Sequence, residues 1–116
     1  MNIHIKRVYA PAEKNDGFRI LIDRLWPRGL SKNNTKIDEW LKEIAPSPNL
    51  RKWFNHKDEL FKEFSKLYTK ELKSKSKEIE HIRNLAKSQT VTLLYSAKNK
   101  TSNHAIVLKK FLEQMI

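Results

Sequence analysis

The chain has 116 residues and a formal net charge of +11, from 24 lysines and arginines against 13 aspartates and glutamates. This length suits a single domain that buries its own core without disulfides or metals. Because the sequence contains no cysteine, it excludes disulfide frameworks, thiolate metal sites and cysteine nucleophiles. It shows neither a signal-peptide pattern nor an apolar run of membrane-spanning length, so we expect a cytoplasmic protein without a membrane partner.

The positive charge admits either nucleic acid or an anionic small molecule as a partner. However, the excess of basic residues is spread along the whole chain, and lysines outnumber arginines by 18 to 6. Because most lysines fall on predicted outer faces of helices, the charge is typical of a lysine-rich surface. The sequence has no helix-turn-helix, zinc-finger or RRM pattern, so nucleic acid is a possible partner without support from a motif.

Two segments near the N-terminus are predicted to form strands. Residues 3–8 begin with alternating apolar and polar side chains, and residues 18–22 are branched, aromatic and continuously apolar at their centre. Pro11 and Gly17 mark turns in the connection between them, which at about eight residues is short for the crossover between parallel neighbours. If the two strands are neighbours, we therefore expect them to be antiparallel.

The middle of the chain has helical periodicity. Thr35–Asp38 has the spacing of a capping box, which predicts a helix from this point. Ser47 suits the N-cap of the next helix, and Pro48 suits its first position. The apolar positions are Ile37, Trp40, Leu41 and Ile44 for the first of these helices and Leu50, Trp53 and Phe54 for the second.

Further helices and a strand complete the chain. The strongest periodicity predicts a helix over about residues 58–72, and a polar break separates it from another over about 79–87. Residues 90–95 are β-branched and apolar, which predicts a strand. A last helix follows a cap at Ser102 or Asn103. Its apolar positions are Ala105, Leu108, Leu112 and Met115.

The order of these elements predicts an α/β fold. Because helical segments separate the strands, we expect a small sheet, at least partly parallel and possibly mixed, of about three strands packed with about five helices. No linker or repeat divides the chain, so residues 1–116 are expected to form one domain. The buried core should include Trp40, Phe61, Phe64 and Leu93.

Polar and mostly cationic side chains follow two of the predicted strands, and ligands of such sheets bind beyond the carboxyl ends of the strands. The planar guanidinium of arginine can donate two parallel hydrogen bonds to phosphate or carboxylate. Five of the six arginines precede residue 52, so we expect that some of them have a role that depends on this geometry. Alternatively, Asp23 and Arg24 form a structural ion pair or satisfy loop backbone groups. The residues expected to surround one concave site are Asp23, Arg24, Arg28, Lys98 and His104.

Three residues are candidates for proton transfer: Asp23, His56 and His104. Histidine titrates closest to neutrality, and His104 lies at the predicted start of the last helix, where backbone amides favour an anion. A capping or buried structural role is the alternative for both histidines, and His4 and His81 are expected to be structural or solvated. No histidine pair has metal-ligand spacing, and two glycines cannot form a dinucleotide fingerprint or phosphate loop, so no metal and no cofactor is expected.

Several strings of this sequence resemble the YeaO-like branch of bacterial domain-of-unknown-function family 488, and the most specific of them is Asp-Arg-Leu-Trp-Pro-Arg-Gly over residues 23–29. The resemblance runs nearly end to end and implies a cytoplasmic α/β domain without an established activity. This chain has Asn99 where relatives often carry an acidic residue, which argues against a mechanism that needs a carboxylate there. The positions that match the family's motifs are Arg7, Tyr9, Asp23, Arg24, Trp26, Arg28, Trp53, His56, Lys98, Asn103 and His104.

The leading functional hypothesis is a small enzyme or a binder of an anionic, phosphate-bearing or nucleotide-like ligand, held in a cationic cleft at the strand ends. Asp23, His56 and His104 would be available for proton transfer. The alternatives are a nucleic-acid-binding module and a protein-interaction domain without catalysis. The residues expected to contact the ligand are Arg7, Tyr9, Arg24, Trp26, Arg28, Lys98 and Asn103.

Overall fold

The structure is a computed structural model that describes residues 1–33 and 35–114. Within these residues, four strands and four α-helices form an α/β fold, as predicted, with one strand more and one helix fewer than expected. Position 115, the last apolar position of the final predicted helix, lies outside the described residues. The strands are β1 (Ile3–Arg7), β2 (Phe18–Leu21), β3 (Glu39–Trp40) and β4 (Val91–Tyr95), and the helices are α1 (Pro48–Phe54), α2 (Phe61–Leu72), α3 (Ser76–Ser88) and α4 (His104–Gln114).

The sheet is parallel throughout, with the strand order β1-β4-β2-β3. The last strand in the sequence is therefore central, and its Leu93 is in register with Ile5 on one side and Ile20 on the other. The expected antiparallel pairing of the first two strands depended on their being neighbours. Because β4 lies between β1 and β2, their short connection need not reverse the chain direction, and the two strands run parallel.

The helix predicted over residues 35–44 does not form, and β3 and a single 3-10 turn, Lys42–Ile44, replace it. Backbone hydrogen bonds to β2 hold this segment extended: Leu41 N–H donates to the Leu21 carbonyl, with an N···O distance of 2.9 Å. The Asp38 carboxylate accepts the backbone N–H of Arg19 at 2.8 Å instead of capping a helix. Pairing with the sheet therefore outweighed the local helical pattern.

The α-helices pack against one face of the sheet. Phe64 and Leu93 are buried in this core, as predicted, whereas Phe61 and Trp40 are only half-buried. The Phe64 ring stacks on Phe54 with 4.2 Å between ring centroids. Trp53, predicted on the apolar face of its helix, is exposed. None of the helices in the described ranges is long and apolar enough to cross a membrane.

The opposite face of the sheet is covered by residues 24–33 and 35–41. Leu21 and Leu94 form a small second apolar cluster there. Trp26 and Trp40 pack against this cluster and contact each other edge to face, with ring centroids 5.4 Å apart. Trp26 and Trp40 therefore anchor the two ends of this covering on the sheet, and the residues directly after β2 stay at the carboxyl edge of the strands.

Gly17, directly before β2, is required by the close approach of that strand to β4. Its φ of 65° lies in the left-handed region, and a Cβ at this position would be 2.2 Å from the Thr90 carbonyl oxygen. The neighbouring Asp16 is buried but paired with Arg19 and Lys6. A glycine turn and a paired buried charge thus fix where β2 enters the sheet.

Candidate functional site

A cleft of about 750 Å³ opens at the carboxyl ends of β2 and β4, between α1 and the start of α4. Because parallel strands end at the same edge of a sheet, the loops that follow β2 and β4 lie side by side. The cleft is lined by all ten residues proposed from the sequence for catalysis or ligand binding, namely Arg7, Tyr9, Asp23, Arg24, Trp26, Arg28, His56, Lys98, Asn103 and His104. It is also lined by Arg51, Lys52 and Ser96, which were not among them.

The Asp23 carboxylate connects the two strand-end loops. Its Oδ2 accepts hydrogen bonds from the backbone N–H of Ser96 at 3.0 Å and from the Ser96 hydroxyl at 2.5 Å. Its Oδ1 lies 3.1 Å from Nε2 of His104. That nitrogen also lies 3.0 Å from the Ile22 carbonyl oxygen, which can only accept, so Nε2 carries the proton.

The protonation state of Asp23 follows from these contacts. Burial by itself raises the pKa of this carboxyl, but His104 and the two donors of Ser96 outweigh it and hold the pKa below its usual range. His104 acts through its proximity, because its N–H is directed at the Ile22 carbonyl. Oδ1 is therefore buried without a hydrogen bond in the described part of the chain. Asp23 is therefore ionised at neutral pH, and a carboxylate with a lowered pKa is a weak general base.

Arg7 and Arg24 build the walls of the cleft by donating to loop carbonyls. Arg7 donates from Nε to Ala97 at 2.9 Å and from Nη2 to Ser96 at 3.1 Å. Arg24 donates from Nη2 to the Ala45 carbonyl at 3.2 Å. These contacts support the alternative predicted from the sequence, in which Arg24 satisfies backbone groups of a loop. Arg24 does so by hydrogen bonds to carbonyls and not by an ion pair with Asp23. Each guanidinium still has N–H donors beyond those used here.

Ala45 and Pro46 form the floor of the cleft. The carbonyl oxygens of the segment 43–46, to which they belong, are all bound by side-chain donors. Tyr68 donates its hydroxyl to the Ile44 carbonyl at 2.7 Å, and Lys75 and Arg24 bind the remaining carbonyls. Burial lowers the pKa of Lys75, and the nearby Arg24 lowers it further. These contacts fix the end of the 3-10 turn Lys42–Ile44 and the irregular residues that follow it.

The helix α1 forms one side of the cleft and is delimited by its own sequence. The Ser47 hydroxyl accepts the N–H of Leu50 at 3.2 Å, and Pro48 occupies the first turn. Asn55 and His56 end the helix with φ angles of 45° and 57°, in the left-handed region. His56 is exposed at the rim, where it has solvent access but no hydrogen bond with the described residues.

Asn103 caps α4, which confirms one of the two predicted caps. Its Oδ1 accepts the N–H of Ile106 at 3.1 Å, and its Nδ2 donates to the Asn99 carbonyl at 2.9 Å. The side chain is buried, with 2% of its surface exposed. The polar atoms of Asn103 are therefore occupied by the fold, and its contribution to the cleft is to place the helix N-terminus there.

Four cationic residues of the cleft lining take no part in the structural hydrogen bonds described above. Their side chains are exposed and form no ion pair or hydrogen bond within residues 1–33 and 35–114. Asp23 is the one carboxylate among the lining residues of the described chain; it accepts hydrogen bonds from Ser96 and lies 3.1 Å from Nε2 of His104. The cleft therefore has an uncompensated positive charge. The four cations are Arg28, Arg51, Lys52 and Lys98.

Apolar side chains occupy the rest of the lining. Tyr9 is 42% exposed and donates its hydroxyl to the Arg28 carbonyl at 2.9 Å. The Trp26 indole is half-buried and donates to the Leu30 carbonyl at 2.7 Å. Leu25 is 63% exposed. The cleft thus combines flat apolar surfaces with unpaired cations.

Comparison with known proteins places the whole chain in one family. A family model described as the inactive DUF488-N3 subclade matches residues 2–116. The uncharacterised protein YeaO of Escherichia coli is 50% identical over 115 residues, which cover 99% of this chain and 100% of YeaO. The uncharacterised protein Rv3073c of Mycobacterium tuberculosis is 36% identical over 110 residues, or 95% of this chain and 92% of the relative. No solved structure matches. As the resemblance predicted, the chain belongs to the YeaO-like DUF488 family.

Proposed function

We propose that this protein binds an anionic, phosphate-bearing or nucleotide-like small molecule in the cleft and that it acts as a binding protein without catalysis. The observation that carries the proposal is the set of four unpaired cations defined above, gathered around one cleft. Like charges brought together repel one another, and a bound anion would relieve that repulsion. The ordered floor and walls would lower the entropic cost of binding.

The size and chemistry of the cleft support a small organic anion. Its volume of about 750 Å³ lies within the usual range of small-molecule sites, which are mostly apolar with a few polar groups. Tyr9 and Leu25 offer exposed apolar surface, and Arg28 and Lys98 offer charge. A ligand with a flat apolar part and a phosphate would use both kinds of surface.

The candidate acid and base groups favour binding over catalysis. Asp23 is held ionised by Ser96 and His104, and the His104 N–H is directed to a backbone carbonyl. Both groups are therefore committed to holding the strand-end loops together. The description of the family as an inactive subclade agrees with this view. His56 is exposed at the rim and has no hydrogen bond within the described residues that would orient it.

A ligand screen by thermal shift and calorimetry tests the proposal. The probes are inorganic phosphate, adenosine 5′-monophosphate and adenosine, and the variants are Arg28→Ala and, as a control for charge, Lys66→Ala on the outer face of α2. A phosphate-bearing ligand at about 100 times its Kd should raise the free energy of unfolding by about 2.7 kcal/mol. Arg28→Ala should abolish saturable binding, whereas Lys66→Ala should not change it.

The salt dependence of binding separates this function from the nucleic-acid alternative. Binding to a cleft with a few cations should weaken modestly with ionic strength, whereas a polyanion that contacts many lysines loses affinity steeply. DNA or RNA binding whose salt slope falls by about one for each lysine removed from α2, independently of Arg28, would refute the small-anion proposal. The cytoplasmic location stays a prediction, and it suits a nucleotide-like ligand.

A further inference from the structure

The loop that joins β4 to α4 carries Lys98 and is tied to the other side of the cleft by one side-chain contact. Nδ2 of Asn99 donates a hydrogen bond to Oδ1 of Asp58 at 2.7 Å. Asp58 begins the 3-10 turn Asp58–Leu60 and follows His56 at the end of α1. The contact therefore joins the side of the cleft formed by α1 to the side formed by the strand-end loop.

The amide of Asn99 also organises its own loop. Its Oδ1 accepts the backbone N–H groups of Thr101 and Ser102, each at 2.9 Å, and the Thr101 hydroxyl at 3.0 Å. The Asn99 carbonyl accepts from Asn103, which caps α4. Only an amide side chain can accept these bonds at its oxygen and donate to a carboxylate at its nitrogen. Asn99 thus links Asp58, the loop and the start of α4.

We propose that the hydrogen bond between Asn99 and Asp58 is a positioning contact that sets Lys98 and the start of α4 at the distance from α1 that ligand binding needs. The inference rests on the proposed function. Neither Asn99 nor Asp58 lines the cleft, so both act through the loop. Lys98 has no partner in the described chain, and its position therefore depends on the backbone that Asn99 holds. A bond to a charged carboxylate is stronger than a neutral one and suits this role.

Asn99→Asp removes the anchor to Asp58 but keeps an acceptor for the loop's own hydrogen bonds. An aspartate keeps the oxygen that accepts from Thr101 and Ser102, but it loses the donor and places a second carboxylate beside Asp58. In the double variant Asp58→Asn/Asn99→Asp, the new amide donates to the new carboxylate, so the bond returns with reversed direction. The double variant also keeps the net charge of the natural chain.

Two measurements, amide hydrogen exchange and ligand affinity, test the proposal with these variants. Amide hydrogen exchange at Thr101 and Ser102 should accelerate about tenfold in Asn99→Asp and return to within about twofold in the double variant, because one charge-assisted bond is lost and restored. Affinity for adenosine 5′-monophosphate should fall about fivefold in Asn99→Asp, beyond the general effect of one charge, and recover in the double variant. Lys100→Gln, on the same loop, is the control that makes an equal change in net charge without touching the contact.

Each outcome decides the inference. Unchanged loop exchange in Asn99→Asp, or a loss of affinity no larger than in Lys100→Gln, overturns it while leaving the proposed function intact. If Asn99→Asp does not fold, Asp58→Ala removes the acceptor and should give the same accelerated exchange. If the loop responds as expected but the natural chain binds neither phosphate nor adenosine 5′-monophosphate, the proposed function fails, and the positioning role for ligand binding fails with it.

Discussion

Asp23→Asn should destabilise the fold strongly although it changes few atoms. In the natural chain, one oxygen of Asp23 accepts two bonds from Ser96 and the other faces the protonated Nε2 of His104. An asparagine has one oxygen and one NH₂ group. In either orientation of the amide, the NH₂ group faces a donor, from Ser96 or from His104, and the carboxylate charge is lost.

The size of this effect can be worked out from the contacts. The Asp23 side chain is 12% exposed, and hydrogen bonds to a buried charge contribute about 1.5–3 kcal/mol each, so two weakened bonds give a loss of about 3 kcal/mol. This corresponds to a decrease in Tm of about 10–15 °C for a chain of this length. Urea unfolding followed by circular dichroism measures the loss. Glu63→Gln, which neutralises an exposed carboxylate on α2, is the control and should stay within about 0.5 kcal/mol.

The pH dependence of the free energy of unfolding tests whether folding lowers the pKa of Asp23. The pKa of Asp23 is lower in the folded than in the unfolded state. The ionised carboxylate therefore stabilises the fold fully above the unfolded pKa of about 4, and this stabilisation is lost as pH falls through the folded pKa. The stability difference between the natural chain and Asp23→Asn should therefore be constant from about pH 8 to 5 and narrow below about pH 4. A difference that is absent at pH 7, or that grows on acidification, would contradict the assigned contacts.

Three further substitutions test the fold that supports the cleft. Phe64→Ala should cost about 3–5 kcal/mol, because Phe64 is buried and stacked on Phe54, and a Tm near that of the natural chain would show this packing to be wrong. Gly17→Ala should cost more than about 2 kcal/mol, since its Cβ meets the Thr90 carbonyl, and normal expression with unchanged urea unfolding would refute that clash. Asn103→Ala should cost about 1–2 kcal/mol through the lost helix cap, and Asn103→Asp, which keeps the capping oxygen, should retain more of the stability in calorimetry.

The location of the cleft could be predicted because it follows from local patterns and one general rule. Strand residues 18–22 and 90–95 have recognisable compositions, and the rule that ligands bind beyond parallel strand ends then selects the loops with Asp23 and Lys98. The structure brings both residues into one cleft. Phe64 and Leu93 were likewise predicted in the core, because the helical pattern around Phe64 and the strand pattern around Leu93 are strong.

Features that depend on distant pairing could not be predicted. The segment 35–44 has helical spacing, but its backbone hydrogen bonds to β2 hold part of it as a strand. The central place of β4 between β1 and β2 leaves no local trace in either strand. Arg51 and Lys52 were not selected as site residues because the turn that brings α1 to the cleft is set by tertiary contacts. The concentration of arginines before residue 52 was a signal that included Arg51.

Binding of a phosphate-bearing small molecule in the cleft can be observed by NMR, in a titration of the ¹⁵N-labelled protein with adenosine 5′-monophosphate. We expect saturable shift changes confined to the backbone amides of residues 23–29, 51–56 and 96–104, which surround the cleft. These changes should be lost in Arg28→Ala and kept in Lys66→Ala. Shifts spread evenly over the lysines of α2 and α3, or no saturable shifts at millimolar ligand, would contradict binding in the cleft.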